Sequence, residues 1–301
     1  MLKAAFTFVL ILTFLFTKAE RDSLSLQQKR IITYGSVGTG LVYAGSMTAL
    51  GKAWYSNQSD GSFHFFNDLH EWGGMDKLGH ITTSWWITSW LTDLQLSSGL
   101  PEKGSLNRSA LTTAAFMTTI EVFDGFSKGY GFSISDMAAN LSGIGSAILQ
   151  QKLFGEQILL LRYSFMNTPE PNIRPDLLGK TQTERMLKNY NGQTYWISFP
   201  LKKILAPNSG FPDWLCLSAG HSISGYLNAD GTAPVNLCGD PFYKSRSFHE
   251  WKLSLDIDLR RIKWRSRFWK AFTSTVRWIK IPAPVLSFNA RNGVLLTPIE
   301  W

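Results

Sequence analysis

The stretch Trp251-Lys-Leu-Ser-Leu-Asp-Ile-Asp-Leu-Arg260, "WKLSLDIDLR", alternates without a break. Leu253, Leu255, Ile257 and Leu259 fall on one side of an extended chain, and Lys252, Ser254, Asp256, Asp258 and Arg260 on the other. Side chains switch faces at every residue of a strand, so the pattern predicts an antiparallel sheet with one covered and one wet face. Working outward, "QILLLRYSF" (157–165), "GQTYWISFPL" (192–201) and "LCLSAGHSISGYL" (215–227) also read as strands. "NTPEPNIRPDLLGKTQTERMLKNYNG" (167–192) has the Pro and polar clusters of a connection.

Upstream of Phe154 the period changes to that of helices, with segments expected at Ser36–Trp54, His80–Leu96, Leu106–Phe126 and Ser135–Phe154. They are rich in Ala, Gly, Ser, Thr and aromatic residues, and none has the roughly 20 uninterrupted apolar residues of a membrane span. The expected fold is therefore α+β. A helical bundle (20–154) is followed by a mainly antiparallel β region with an amphipathic basic helix (155–301).

The opening "MLKAAFTFVLILTFLFTKAERDS" has a positive residue, Lys3, an apolar core of 13 residues from Ala4 to Phe16, and small residues before Glu20. A core this short is a secretory signal rather than a span, which predicts removal of residues 1–19 and export to the cell envelope. No cysteine follows the core, so the signal is not of the lipoprotein type. Without Lys3 and Lys18 the formal charge falls from +8 to +6. That moderate basicity points to anionic lipid or glycan surfaces rather than nucleic acid. Cys216 and Cys238 both lie in the exported part, where they could form a disulfide or remain two buried thiols.

Three of the apolar helices carry spaced polar pairs. Asp76 and His80 are four apart in "EWGGMDKLGH", with Lys77 between them; Glu121 and Asp124 are three apart in "EVFDGF"; Asp136 and Asn140 are four apart in "SISDMAANLSGIG". Each spacing puts a pair on one helical face. Ser133 or Ser135 is placed to cap the last helix. Ionisable groups on apolar helices are costly unless paired or used.

These residues carry a resemblance. "DKLGH", "EVFDGF" and "GFSISDMAANLSGIGSAI" are similar to the DK-x-x-H, E, D-x-x-x-N-x-x-G pattern of the VanZ-like group, and most of all to YfiM-like bacterial envelope proteins. The likeness runs roughly from Trp54 to Gln150 and falls on Asp76, Lys77, His80, Glu121, Asp136 and Asn140; Asp124 stands where the pattern is variable. The C-terminal half resembles the extension of Bacteroidetes-type members. The resemblance implies a helical envelope domain and no particular reaction or cofactor.

Three chemistries suit the polar set. It can be a structural network that fixes helix register. His80 with Glu121, Asp124 and Asp136 has the nitrogen and carboxylates of a divalent-metal site, although no H-x-x-x-H or E-x-x-H pair supports a metal assignment. His80 can also carry a proton, oriented by Asp76 or Glu121, with Asp136 nearby, in chemistry on a lipid or glycan headgroup. No G-x-S-x-G, nucleophilic cysteine context or P-loop is present.

Finally, "KWRSRFWKAFTSTVRWIK" (263–280) holds six basic residues and no acidic one, with Trp264, Phe268, Phe272, Val276 and Ile279 at helical spacing. Lys263, Trp264, Arg265, Arg267, Phe268 and Lys270 are the residues expected to meet a membrane interface, the equal alternative being a helix packed on the sheet with a solvated basic face. The expected partners are membrane lipids and an envelope protein complex, on the periplasmic side of the outer membrane or embedded in it. The function expected is that of a non-enzymatic assembly component, with a metal- or His-dependent envelope enzyme as the alternative.

Overall fold

A computed structural model describes residues 24–54, 62–204, 210–232 and 247–300. The expected leader (1–19) and Cys238 lie outside the described residues. By its contacts the chain divides into two units, one of residues up to Asp68 and Thr83–Lys152, the other of Leu69–Thr82 and Leu153–Trp301.

The first unit is helical: α1 (Leu26–Trp54), the body of α2 (Met75–Ser97), α3 (Glu102–Gly125) and α4 (Ile134–Phe154). Helix α1 starts ten residues before the expected Ser36. Its start is fixed by a reciprocal cap: Gln28 N–H donates to Ser25 Oγ (3.2 Å) and Ser25 N–H to Gln28 Oε1 (3.0 Å). At α4 the cap is Ser133, whose Oγ accepts from Asp136 N–H at 3.0 Å.

The surfaces buried within this unit are largely polar. Thr88 Oγ1 donates to Thr113 Oγ1 (3.0 Å), Tyr43 OH to Thr119 Oγ1 (2.9 Å) and Gln95 Nε2 to Ser109 Oγ (3.0 Å). Small side chains let helices approach closely while these hydroxyls bond to one another or to carbonyls four residues back. Val37, Leu41 and Val42 on α1 and Ile134, Leu141 and Leu149 on α4 are exposed instead. Among the described residues no helix is long and apolar enough to cross a membrane.

The second unit is a six-stranded antiparallel meander in the order β1-β2-β3-β4-β5-β6. Its strands are β1 (Leu160–Phe165), β2 (Gln193–Pro200), β3 (Leu215–Ser224), β4 (Phe248–Ile257), β5 (Ala283–Asn289) and β6 (Gly293–Glu300). The first four match the expected strands. The connection between β1 and β2 folds into three short helices, α5 (Glu170–Ile173), α6 (Pro175–Leu178) and α7 (Gln182–Lys188), and α8 (Leu201–Ile204) follows β2. The basic helix, α9 (Arg267–Thr275), is half the expected length. It ends because the chain after it joins the sheet: Tyr163 N–H donates to Trp278 O (2.7 Å) and Lys280 N–H to Tyr163 O (2.9 Å). The segment leading into β5 thereby returns to the outer edge of β1, and the sheet curls.

The alternation read from "WKLSLDIDLR" is present, but the covered face is the polar one. Trp251, Leu253 and Leu255 are 63%, 41% and 48% exposed, whereas Lys252, Ser254 and Asp256 are 7%, 5% and 1% exposed. The reason is the content of the concave side. Arg162 Nε lies 3.0 Å from Asp256 Oδ2, which also accepts from Ser198 Oγ (2.6 Å) and Ser218 Oγ (3.2 Å). The remaining guanidinium nitrogens donate to Ile279 O (2.9 Å) and Ile257 O (3.0 Å). Lys280 Nζ donates to Ser254 Oγ, Leu255 O and Ile281 O and sits over the Trp196 ring. Burial lowers the Lys280 ammonium pKa, an effect that the nearby Asp256 carboxylate opposes. Lys252 pairs with Glu300 and Glu250. Trp196 lies flat on Gly220, where a Cβ would come within 2.5 Å of its ring. The curled interior is filled by serine, glycine, interlocked charges, Trp196, Leu160 and Val285, and most of the other bulky aliphatic residues are turned outward.

The register carries this around the sheet. One outward row runs Leu161, Ile197, Ala219, Leu253, Leu286, Leu296, one residue from each strand. The next runs Tyr163, Tyr195, His221, Trp251, Phe288, Val294. On the other side of the first, Phe199, Leu217 and Leu255 continue the apolar surface.

A buried ion pair that loses one partner leaves an uncompensated charge. Asp256→Ala should therefore lower unfolding free energy by about 3–5 kcal/mol, while Leu255→Ala on the outward face should stay within about 0.5 kcal/mol. Denaturant unfolding of the two variants in lipid-free buffer checks the contrast.

Candidate functional site

The residues singled out from sequence fall into both units, and each group is described within its own. In the second unit, "EWGGMDKLGH" forms a turn and a helix start. Trp72 (φ 49°), Gly73 (φ 57°) and Gly74 (φ 77°) are consecutive left-handed residues, and Trp72 is the one non-glycine among the described residues with positive φ. Such a conformation costs about 1–2 kcal/mol at a non-glycine residue. It is held by Trp72 N–H donating to Ala229 O (2.6 Å) and by the indole against Tyr190 (ring centroids 5.4 Å apart). Gly73 has no alternative, since a Cβ there would lie 2.7 Å from His249 Cε1. Below the turn Met75, Ile223 and Tyr226 form a small buried core.

This turn delivers Asp76 to the first turn of α2, where a carboxylate is favoured by the helix dipole. Lys77 Nζ lies 3.0 Å from Asp76 Oδ2, Tyr190 OH donates to Oδ1 at 2.7 Å, and His80 Nε2 is 3.7 Å from the same oxygen. Burial works to raise the Asp76 pKa, but His80, Lys77 and the Tyr190 hydrogen bond outweigh it and hold the carboxyl below its ordinary value. Gly79 lies against Tyr195, whose hydroxyl donates to Gln193 Oε1 (2.8 Å). Burial pushes that phenol well above its ordinary pKa, with Tyr163 and Asp76 adding to the shift. Asp76, Lys77 and His80 thus come together with two tyrosines that the sequence reading missed. Nothing in the sequence links Tyr190 to Asp76, 114 positions away. The tyrosine is set by Asn191, whose side chain bonds Asn189 and both main-chain groups of Tyr226.

In the helical unit, Glu121, Asp136 and Asn140 are all buried. Glu121 Oε2 accepts from Ser133 N–H (3.4 Å), Asp136 N–H is capped by Ser133 Oγ, and Asn140 Oδ1 accepts from Ser84 Oγ (3.0 Å). Asp68, unnoticed in the sequence, anchors the group: Ser133 Oγ and Ser135 Oγ both donate to its Oδ1, at 2.6 and 2.8 Å. Asp124 is in the last turn of α3, its carbonyl accepting from Ser127 N–H. His64 belongs to an aromatic loop: its Nε2 meets Tyr130 O (2.7 Å), and Phe63, Phe65, Phe126 and Phe132 pack against one another there.

With this geometry in view, the chain can be set beside known proteins. Residues 64–152 match a family model described as predicted periplasmic lipoprotein (DUF2279). The match spans Asp76, Lys77, His80, Glu121, Asp124, Asp136 and Asn140, and it supports a helical, periplasmic likeness for this part of the chain. It lends nothing specific to the VanZ-like and YfiM-like resemblance. Comparison with curated proteins and with solved structures yields no match. Cys216 is buried on β3.

His221 and His249 stack between β3 and β4, His221 Nε2 3.1 Å from His249 Nδ1. Burial, then the neighbouring imidazole, pushes His221 down from 6.5 to about 4. The unfolded chain binds a proton here below pH 6.5 that the fold refuses. The contribution of His221 is therefore complete above pH 6.5 and is lost as pH falls from 6.5 towards 4. His221→Gln should flatten the stability profile over that window, as thermal melts at stepped pH would show. Asp76 acts lower on the scale. Its depressed pKa gives stability that is present above the ordinary carboxylate range and lost as pH falls through the folded value, so Asp76→Asn should lower the melting temperature at pH 7 and lose less than the parent on acidification.

Proposed function

We propose that this is an envelope protein that works at a membrane surface as an assembly or interaction component, without a catalytic step of its own. The observation that carries this reading is the acid-free segment between Asp258 and Glu300. Within it, Phe268, Trp269 and Phe272 of α9 point outward as one aromatic cluster, and Lys263, Arg265 and Lys270 are exposed around them. Aromatic rings ringed by cations suit an anionic lipid interface. The role of the VanZ-like and YfiM-like resemblance is to favour the cell envelope, at the periplasmic side of the outer membrane, as the setting. Lipids are the first partner, and an envelope protein complex is the second.

The polar set supports the same reading. Asp76 is engaged by Lys77, Tyr190 and His80, and Asp68 by two capping serines, which are the contacts of residues that hold turns in place. A His80-dependent enzyme is the second reading, favoured by the ionised Asp76 beside the imidazole. His80→Gln with an unchanged melt and lost function would favour that enzyme.

Replacing Lys263, Arg265, Arg267 and Lys270 with Gln should weaken binding to anionic liposomes by about 1 kcal/mol for each charge that sits near the surface. Binding of the parent should fall as salt rises. Liposome flotation measures both, and no flotation of the parent at low salt would overturn the membrane reading.

A further inference from the structure

We propose that the outward face of the β-sheet is a lipid-facing surface, on which the second unit sinks into one leaflet of a membrane. The inference rests on the membrane reading above but concerns a different surface and a different force, hydrocarbon burial rather than surface charge.

The face has the composition that hydrocarbon selects. Its three rows contain no Asp, Glu, Lys or Arg, although the row just inside carries Arg162 and Lys252. Ile197, Leu253, Leu255, Trp251, Val294 and Leu296 are all more than two-fifths exposed. Single exposed leucines are ordinary on a water-soluble protein, whereas an apolar surface continuous across six strands is not. The interior is just as telling. In water, apolar burial drives folding, and a sheet that buries its ion pairs and exposes its leucines forgoes that drive. In lipid the cost vanishes, because the leucines are already in an apolar solvent and the charges satisfy one another inside.

The depth also fits one leaflet. Three rows two residues apart reach about 13 Å along the strands, close to half of the roughly 30 Å hydrocarbon core. Trp251 and Phe288 border the aliphatic row on one side, where amphipathic rings belong at a headgroup level, while Tyr195 in the same row is covered by the start of α2. His221, in that row, is neutral at pH 7. Strand β6 has an open outer edge among the described residues. Unpaired strand edges are excluded from hydrocarbon, so the sheet is immersed by its face, with β6 at the rim, and does not span the bilayer. The cations beside α9 supply charge complementarity to anionic headgroups.

The test uses the full chain and vesicles of phosphatidylethanolamine with phosphatidylglycerol. The parent, Leu253→Arg/Leu255→Arg and Ser254→Ala are floated at low salt, then washed with 1 M salt and with alkaline carbonate, and circular dichroism in detergent checks each fold. The expected result is a parent that resists both washes, an inner-face variant that behaves like it, and a double arginine variant retained at least tenfold less with an unchanged spectrum. A spin label at Leu296 should meet dissolved oxygen more often than a polar nickel chelate. If the parent does not float at all, the membrane reading itself fails. If it floats but is stripped by salt, and the arginines change nothing, the membrane reading stands and the lipid-facing sheet is overturned. A lipid-free parent that pairs with a second copy in a way the arginines abolish, with vesicle retention unchanged, overturns it as well.

Discussion

The contact between Arg162 and Asp256 organises the sheet. It joins β1 to β4 across the concave side, and the remaining guanidinium nitrogens tie the end of β4 to the segment that precedes β5. Once two opposite charges occupy that interior, the neighbours are constrained. Ser198 and Ser218 must be small hydroxyl donors to the carboxylate, Gly220 must lack a side chain under Trp196, and Lys280 must find carbonyls. Leu160 and Val285 still fit among these groups, and the larger share of the aliphatic residues is left to the convex side. The inversion of the sheet is thus a packing consequence of which residues interlock, not a relaxation of the rule that buried charge needs a partner.

The helical unit follows a related logic with weaker groups. Threonine and serine hydroxyls line its buried surfaces and reach one another or backbone carbonyls, and carboxylates appear only where a helix begins or ends. Asp68 and the Ser133 cap determine where α4 starts. In the other unit Asp76 does the same for α2, through a turn in which Trp72 takes an unfavourable backbone conformation. Both units spend polar side chains on fixing where helices begin.

Much of this was legible in the sequence. The periods of two and of 3.6 gave the α+β order, because alternation depends only on local chain geometry. Asp76 and His80, four apart, lie on one helical face, His80 Nε2 3.7 Å from Asp76 Oδ1. The direction of the sheet was not legible, since alternation tells which residues share a face and is silent on which face is covered. Strands β5 and β6 escaped because Pro284 and Pro298 interrupt them, and proline is accepted there only at irregular or edge positions. Tyr190 and Asp68 could not be found by spacing, as each reaches its partner only through the tertiary fold.

The closing contact of the curl also bears on how the chain reaches its fold. Arg162 is bonded to groups 95 and 117 positions further along. As the chain emerges from its N-terminus, β1 has no counter-charge until β4 has formed, and its outer edge stays open until the segment after α9 arrives. Loop closure over such distances is slow. Neighbouring strands of the meander can pair in order, but the concave charge network and the outer edge of β1 are completed only at the end. Closure of the curl is thus the step that must wait longest, because the groups that Arg162 meets arrive only with β4 and with the residues that follow α9.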